Sequence, residues 1–208
     1  MRDGLISTRA RQSLETVLER AVRARLVLRE GDHCTIARAG GPDAGGVFDD
    51  SGVDDSWVDD IVVVLTIASM GFRYMMFLRF RDDPASAAYF SAHFSAYFSA
   101  DIAPGRALRN ALLELGNLCC GAVNQELGRH FPDLGMSTPY VLGGHSLAYI
   151  DSLQPDYRAD FVASISVASI ESAVTVGATM CLFTRVPIDF HAGDDVEMAG
   201  SDGALELF

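Results

Sequence analysis

NALLELGNLCCGAVNQELGRHFPDLGMSTP, residues 110 to 139, decides how the rest of this chain is read. At about 100° per residue its first half is a helix with two chemically different sides. Asn110, Glu114 and Asn117 fall within one narrow arc, and Gly121, Asn124 and Gly128 continue the same line. Leu108, Leu112, Leu115, Cys119, Ala122 and Val123 take the opposite side. An ordinary amphipathic helix turns long charged side chains to water. This one offers a carboxylate and carboxamides beside glycines, which leave the backbone open to close approach. The spacing predicts a docking face with Glu114 and Asn117 outward and Leu112, Leu115 and Cys119 inward.

Around that helix the chain alternates apolar strands and helices. Pro104 opens the helix, and Gly128 with Pro132 marks its end. Upstream, residues 5 to 28 carry Leu14, Val17, Leu18, Ala21 and Val22 at helical spacing, with Ser7 or Thr8 as cap. His33 to Ala37 reads as a short strand. Residues 39 to 56 are rich in Gly and Asp; the carboxylates miss the DxDxDG spacing of a calcium loop, and a solvated loop is the expectation. Val58 to Ser69 and Phe72 to Phe80 read as a hairpin turned by Met70-Gly71. Asp83-Pro84 starts a helix to about Ala100, whose tandem YFSA, HFSA and YFSA put Phe90, Phe94 and Phe98 on one stripe suited to covering a sheet. Downstream, Tyr140 to Ile150 reads as a strand bent or bulged at Gly143-Gly144, followed by strands over 161–170 and 174–186. About six strands and three helices give an α+β domain, a largely antiparallel sheet covered by helices. The expected limits are one domain over 1–189 and an acidic tail over 190–208.

The net charge of −12 opposes nucleic acid and anionic membrane surfaces as partners. The longest strongly apolar run, Ile61 to Ala68, is too short to span a bilayer, and with no signal-peptide pattern at the start the chain is expected in the cytoplasm. Cys34, Cys119, Cys120 and Cys181 form no CxxC or Cys/His ligand spacing, and the five histidines form no HExxH pair, so no intrinsic metal site is expected. No GxSxG elbow, P-loop or GxGxxG after a strand is present.

The pattern Asn110-x3-Glu114-x2-Asn117, followed by twenty-one residues and Pro139, resembles the signature of the CheC/CheX group of chemotaxis phosphatases. In that group an acidic or Ser residue precedes ExxN and a Pro follows about 21 to 22 residues on. ELGNLCCGAVN and STPYVLGG also resemble CheX words. The first position departs, being Asn110 where the family usually has Asp or Ser. A single ExxN…Pro unit resembles the one-site CheX type rather than CheC, which carries the motif twice.

The resemblance implies a CheC/CheX-like fold, a homodimer, and hydrolysis of the aspartyl phosphate on a CheY-like response-regulator receiver domain. Asn117 would orient the attacking water, and Glu114 would pair with the receiver's active-site lysine. Asn110, Gly121, Asn124 and Pro139 would belong to the partner-binding surface. Mg²⁺ would come from the receiver. The alternative is a non-catalytic module that docks a receiver or a second copy, and Asn110 at the first position keeps it open.

Overall fold

The hairpin of β2 (Ile61–Ala68) and β3 (Phe72–Phe80) forms the middle of the sheet, because both strands are apolar on both faces. At its tip the Ser69 hydroxyl oxygen accepts from the N–H groups of Gly71 and Phe72, at 3.2 Å each. The computed structural model describes residues 4–39, 60–94, 104–167 and 173–193. The other strands are β1 (His33–Arg38), β4 (Gly135–Met136), β5 (Tyr140–Gly143), β6 (Tyr157–Ser166) and β7 (Val174–Thr184). Together they make one antiparallel seven-stranded sheet in the order β1-β6-β7-β3-β2-β4, with β5 also on β2. The helices are α1 (Thr8–Leu26), α2 (Pro84–Phe94) and α3 (Pro104–Leu127).

The larger core lies on one face of the sheet. There Leu14, Leu18 and Leu26 of α1, Tyr89 and Phe90 of α2, and Leu112, Leu115 and Cys119 of α3 meet Leu65, Ile67, Tyr74, Met76 and Leu78, all nearly or wholly buried. Each fully buried side chain of this size contributes roughly 1.5–3 kcal/mol from water exclusion. Tyr89 also fastens α2 to the end of α1, its hydroxyl donating to the Leu26 carbonyl at 3.0 Å. Of the expected aromatic stripe, Phe90 is buried, whereas the side chain of Phe94 and all of Phe98 lie outside the described residues, as does most of the expected acidic loop.

Three of the differences from the sequence reading bear on how the sheet is closed and covered. The strand expected over Tyr140 to Ile150 stops at Gly143, and Gly144–Leu153 is a 3-10 helix. The ladder ends where the Gly144 N–H donates to the Asp60 carbonyl at 2.8 Å. The chain then folds Leu147 and Ile150 over Val62, Val64, Phe77 and Cys181, an apolar patch on the second face of the sheet that a continued edge strand would leave in water. β6 begins at Tyr157, four residues before the expected Phe161, because Arg158 and Asp160 satisfy each other: two N–H···O contacts of 2.8 and 3.0 Å join them, and the Thr179 hydroxyl donates to Asp160 at 2.6 Å.

The third difference concerns the domain end expected at 189. Phe190 and Ala192 are buried, and Ser13 on α1 accepts from the Ala192 N–H at 3.0 Å, so packing continues past that point; residues 194–208 lie outside the described residues. Asp189 itself receives the Arg9 guanidinium and the Ser7 hydroxyl at the start of α1, where Ser7 caps the Ala10 N–H at 3.0 Å. The hydrogen bonds from Arg9 and Ser7 hold the Asp189 carboxyl below its ordinary 3.8. A depressed carboxyl stabilises the fold above its unfolded pKa and loses that contribution as pH falls through the folded value. Asp189→Ala is therefore expected to lower the melting temperature at pH 7, with the gap to wild type closing below about pH 4. Thermal melts across that range would detect it.

Candidate functional site

α3 is seated on β2 by the absence of a side chain. A Cβ on Gly116 would stand 2.6 Å from Val63 Cγ1 and 3.2 Å from Leu65 Cδ1, so only glycine permits this approach. α1 flanks one side of α3, with Val17 and Ala21 beside Ala122 and Glu126 across a shallow groove. The flank of α3 away from α1 is thus turned towards the edge of β2 that faces away from β3.

That edge is where the chain returns after α3. β4 pairs with β2 at Ile67 and Ala68, and β5 pairs with it from Val64 back to Ile61. Between them the Ser137 N–H donates to the Thr66 carbonyl at 2.8 Å, and the Thr66 N–H donates to the Ser137 hydroxyl oxygen at 3.0 Å. Thr138 and Pro139 therefore pass opposite Leu65, the residue that lies beneath Gly116. Asn117, next to Gly116, and Pro139 are in this way brought to one edge of the sheet despite twenty-one intervening residues.

Burial along α3 follows the expected two-sided pattern. Leu112, Leu115 and Cys119 are buried, Glu114 is exposed, and Asn110, Asn117 and Gly121 are half-buried. At Gly121 a Cβ would meet open space, so the backbone there is accessible. Asn124 differs from the outward reading given to it: the residue is half-buried and its Oδ1 is enclosed with no hydrogen-bond partner among the described residues.

No family model and no curated protein sequence matches the chain. Solved structures do. A chain of the CheX–CheY–BeF3–Mg²⁺ complex from Borrelia burgdorferi aligns with a TM-score of 0.51 at 10% identity, over 83% of this chain and 96% of that one. A chain of the FliM–SpeE complex from H. pylori aligns with a TM-score of 0.50 at 10% identity, over 84% and 88% respectively. The fold is CheX/CheC-like. At this identity the likeness speaks for the backbone, and the chemistry must be argued from the residues.

Within this CheX/CheC-like fold, apolar side chains rim the motif, and the sequence reading passed over them. Leu118 is 37% exposed and projects about 40° from Glu114, and Met136 and Tyr140, on either side of the Pro139 turn, are 39% and 45% exposed. Leu118 was readable from its projection; the other two depend on β4 and β5 lying at the sheet edge. Apolar groups framing a few polar ones suit contact with a protein. Beneath the face, burial pushes the thiols of Cys119 and Cys120 up to about 12, which keeps them protonated and poor nucleophiles at neutral pH. Among the described residues no three His, Cys, Asp or Glu side chains gather as metal ligands, and the face itself holds one carboxylate where a hard cation takes several oxygens.

The seating contact makes two glycines on one helix respond in opposite ways. Gly121→Ala is expected to raise stability by up to about 1 kcal/mol, since alanine is the better helix former and has room. Gly116→Ala gains the same propensity but drives a methyl into Val63, for a net loss of about 1–2 kcal/mol. Urea denaturation of both variants measures the difference; equal effects would mean that Gly116 is not the seat.

Proposed function

We propose that this chain is a phosphatase acting on the aspartyl phosphate of a CheY-like receiver domain, with Asn117 as the residue that orients the attacking water. What supports the reading is that Gly116, next to Asn117, lies over Leu65 and that Pro139 passes opposite the same residue, in a fold whose solved neighbours include a complex of CheX with CheY.

The acyl phosphate needs little added chemistry. The water oxygen bonds to phosphorus as the bond from phosphorus to the aspartyl oxygen breaks, leaving a free carboxylate and inorganic phosphate. The carboxylate leaves without needing a proton, so the remaining task is to hold the water in line. A carboxamide suits it: the Asn117 Oδ1 accepts from the water, Nδ2 remains free to donate, and the group stays neutral beside a dianion. Glu114, exposed one turn earlier, meets the receiver's lysine and fixes the approach. In this reading the magnesium ion is the receiver's own, and charge stabilisation of the phosphoryl group is its contribution.

Asn110 in place of Asp or Ser favours a second reading, a docking module without turnover. The two separate in a phosphorylated-receiver decay assay paired with a binding measurement. Asn117→Ala is expected to keep the fold and the binding constant while lowering catalysed decay by roughly 10² or more, the scale of losing one positioned polar group. Glu114→Ala is expected to weaken association and turnover together. Equal decay with wild type and Asn117→Ala at equal binding would leave the docking module standing.

A further inference from the structure

Residues 188–193 lie along α1, held by contacts that advance with the helix. Ile188 bridges to Ile6, Asp189 takes Ser7 and Arg9, the Ala192 N–H donates to the Ser13 hydroxyl oxygen at 3.0 Å, and Arg20 donates to the Gly193 carbonyl at 2.8 Å. Side chains alternate on the way: Ile188, Phe190 and Ala192 are buried, whereas Asp189 and His191 are exposed. That is the two-residue period of an extended chain, with the even-numbered positions inward. Arg20, which holds Gly193, also lines the groove between α1 and α3, together with Val17, Ala21, Ala122 and Arg129. Arg25, one turn past Ala21 on the same line of α1, has its Nε enclosed with no hydrogen-bond partner among the described residues.

We propose that this groove is the seat of residues 194–198 of the same chain. The sequence itself supplies the occupant, continuing from Gly193 as Asp-Asp-Val-Glu-Met. Carried on, the alternation turns Asp194, Val196 and Met198 inward and Asp195 and Glu197 outward, so both apolar residues of the segment fall on the buried register. With a rise of roughly 3.3 Å per residue for the extended chain and 1.5 Å for the helix, counted from the Ala192–Ser13 contact, Val196 comes level with Ala21 and Met198 with Arg25 to about one residue. Asp194 meets Arg20 at the entrance, where a charge-assisted pair replaces the water around both. The charges agree along the rest of the path, which offers Arg129 and Arg25 to a segment of three carboxylates and no cation. A shallow groove presents too little area to hold a free partner, but a segment tethered one residue from its mouth binds intramolecularly and needs little contact energy.

Methyl NMR of the full chain, labelled at Ala, Val and Met, tests the placement. Nuclear Overhauser cross-peaks are expected from the Val196 methyls to those of Ala21 and Ala122. V196D puts a carboxylate on the apolar register and is expected to abolish them, moving the Ala21 and Ala122 methyl signals to the positions they take in a chain ending at Gly193. The Ala192 amide, held by Ser13, should keep its wild-type shift in V196D, which separates release of the segment from loss of the fold. No cross-peaks in wild type, or their survival in V196D, would overturn the proposal. So would cross-peaks that arise only between molecules in a mixture of differently labelled chains, which would give the groove to a second copy.

Discussion

The close approach of α3 to β2 at Gly116 is the constraint on which the candidate site depends. With no Cβ between them, the helix packs directly on Val63 and Leu65. A bulkier residue would lift the helix and separate Asn117 from the turn that carries Pro139. The edge is equally constrained. β4 has two residues and β5 four, and both pair with β2, so the turn between them has little freedom to move along the strand. The candidate site is thus built from a helix, a core strand and an edge turn.

The second face of the sheet is covered by different means. The 3-10 helix Gly144–Leu153 closes a small apolar cluster, and polar pairs hold its two ends. At one end Asp60 and Arg79 are both buried, 3.4 Å apart; burial pushes the Asp60 carboxyl up and lowers the Arg79 guanidinium to about 10 despite their attraction. At the other, Arg158 reaches from Asp160 to Asp151 of the 3-10 helix at 2.6 Å. A buried ion pair contributes little net stability against an apolar substitute, though losing one partner is costly. Leu153 and Tyr149 are left exposed there, far from the chemistry argued for α3.

How much of this was readable in the chain follows from the kind of signal each part leaves. α1, the β2–β3 hairpin and α3 were readable because their apolar patterns are long and unbroken, and Ser7 and Pro104 punctuate the starts of the two helices. The sides of α3 were readable for the same reason. The start of β6 was hidden because Arg158 and Asp160 look like a polar break until Thr179 and Asp151 are seen opposite them. The 3-10 helix was hidden because Tyr140 to Ile150 has the composition of a strand, and only the uncovered patch on the second face decides otherwise. The packing of Phe190 and Ala192 depends on α1, far away in sequence, and an acidic composition masks it. For the site, the sequence carried the motif and its spacing, but the apolar rim at Met136 and Tyr140 required the edge position of β4 and β5.

In the proposed function the α3 face and the Pro139 turn form the surface that meets a receiver. Side-chain NMR of the full chain, titrated with a beryllofluoride-activated CheY-type receiver and Mg²⁺, tests it most directly. The Asn110 and Asn117 carboxamide signals and the methyls of Leu118 and Met136 are expected to shift or broaden together, while the methyls of Leu153 and Val186 stay in place. Perturbation confined to Leu153 and its neighbours on the 3-10 helix, with the α3 carboxamides unmoved, would contradict it.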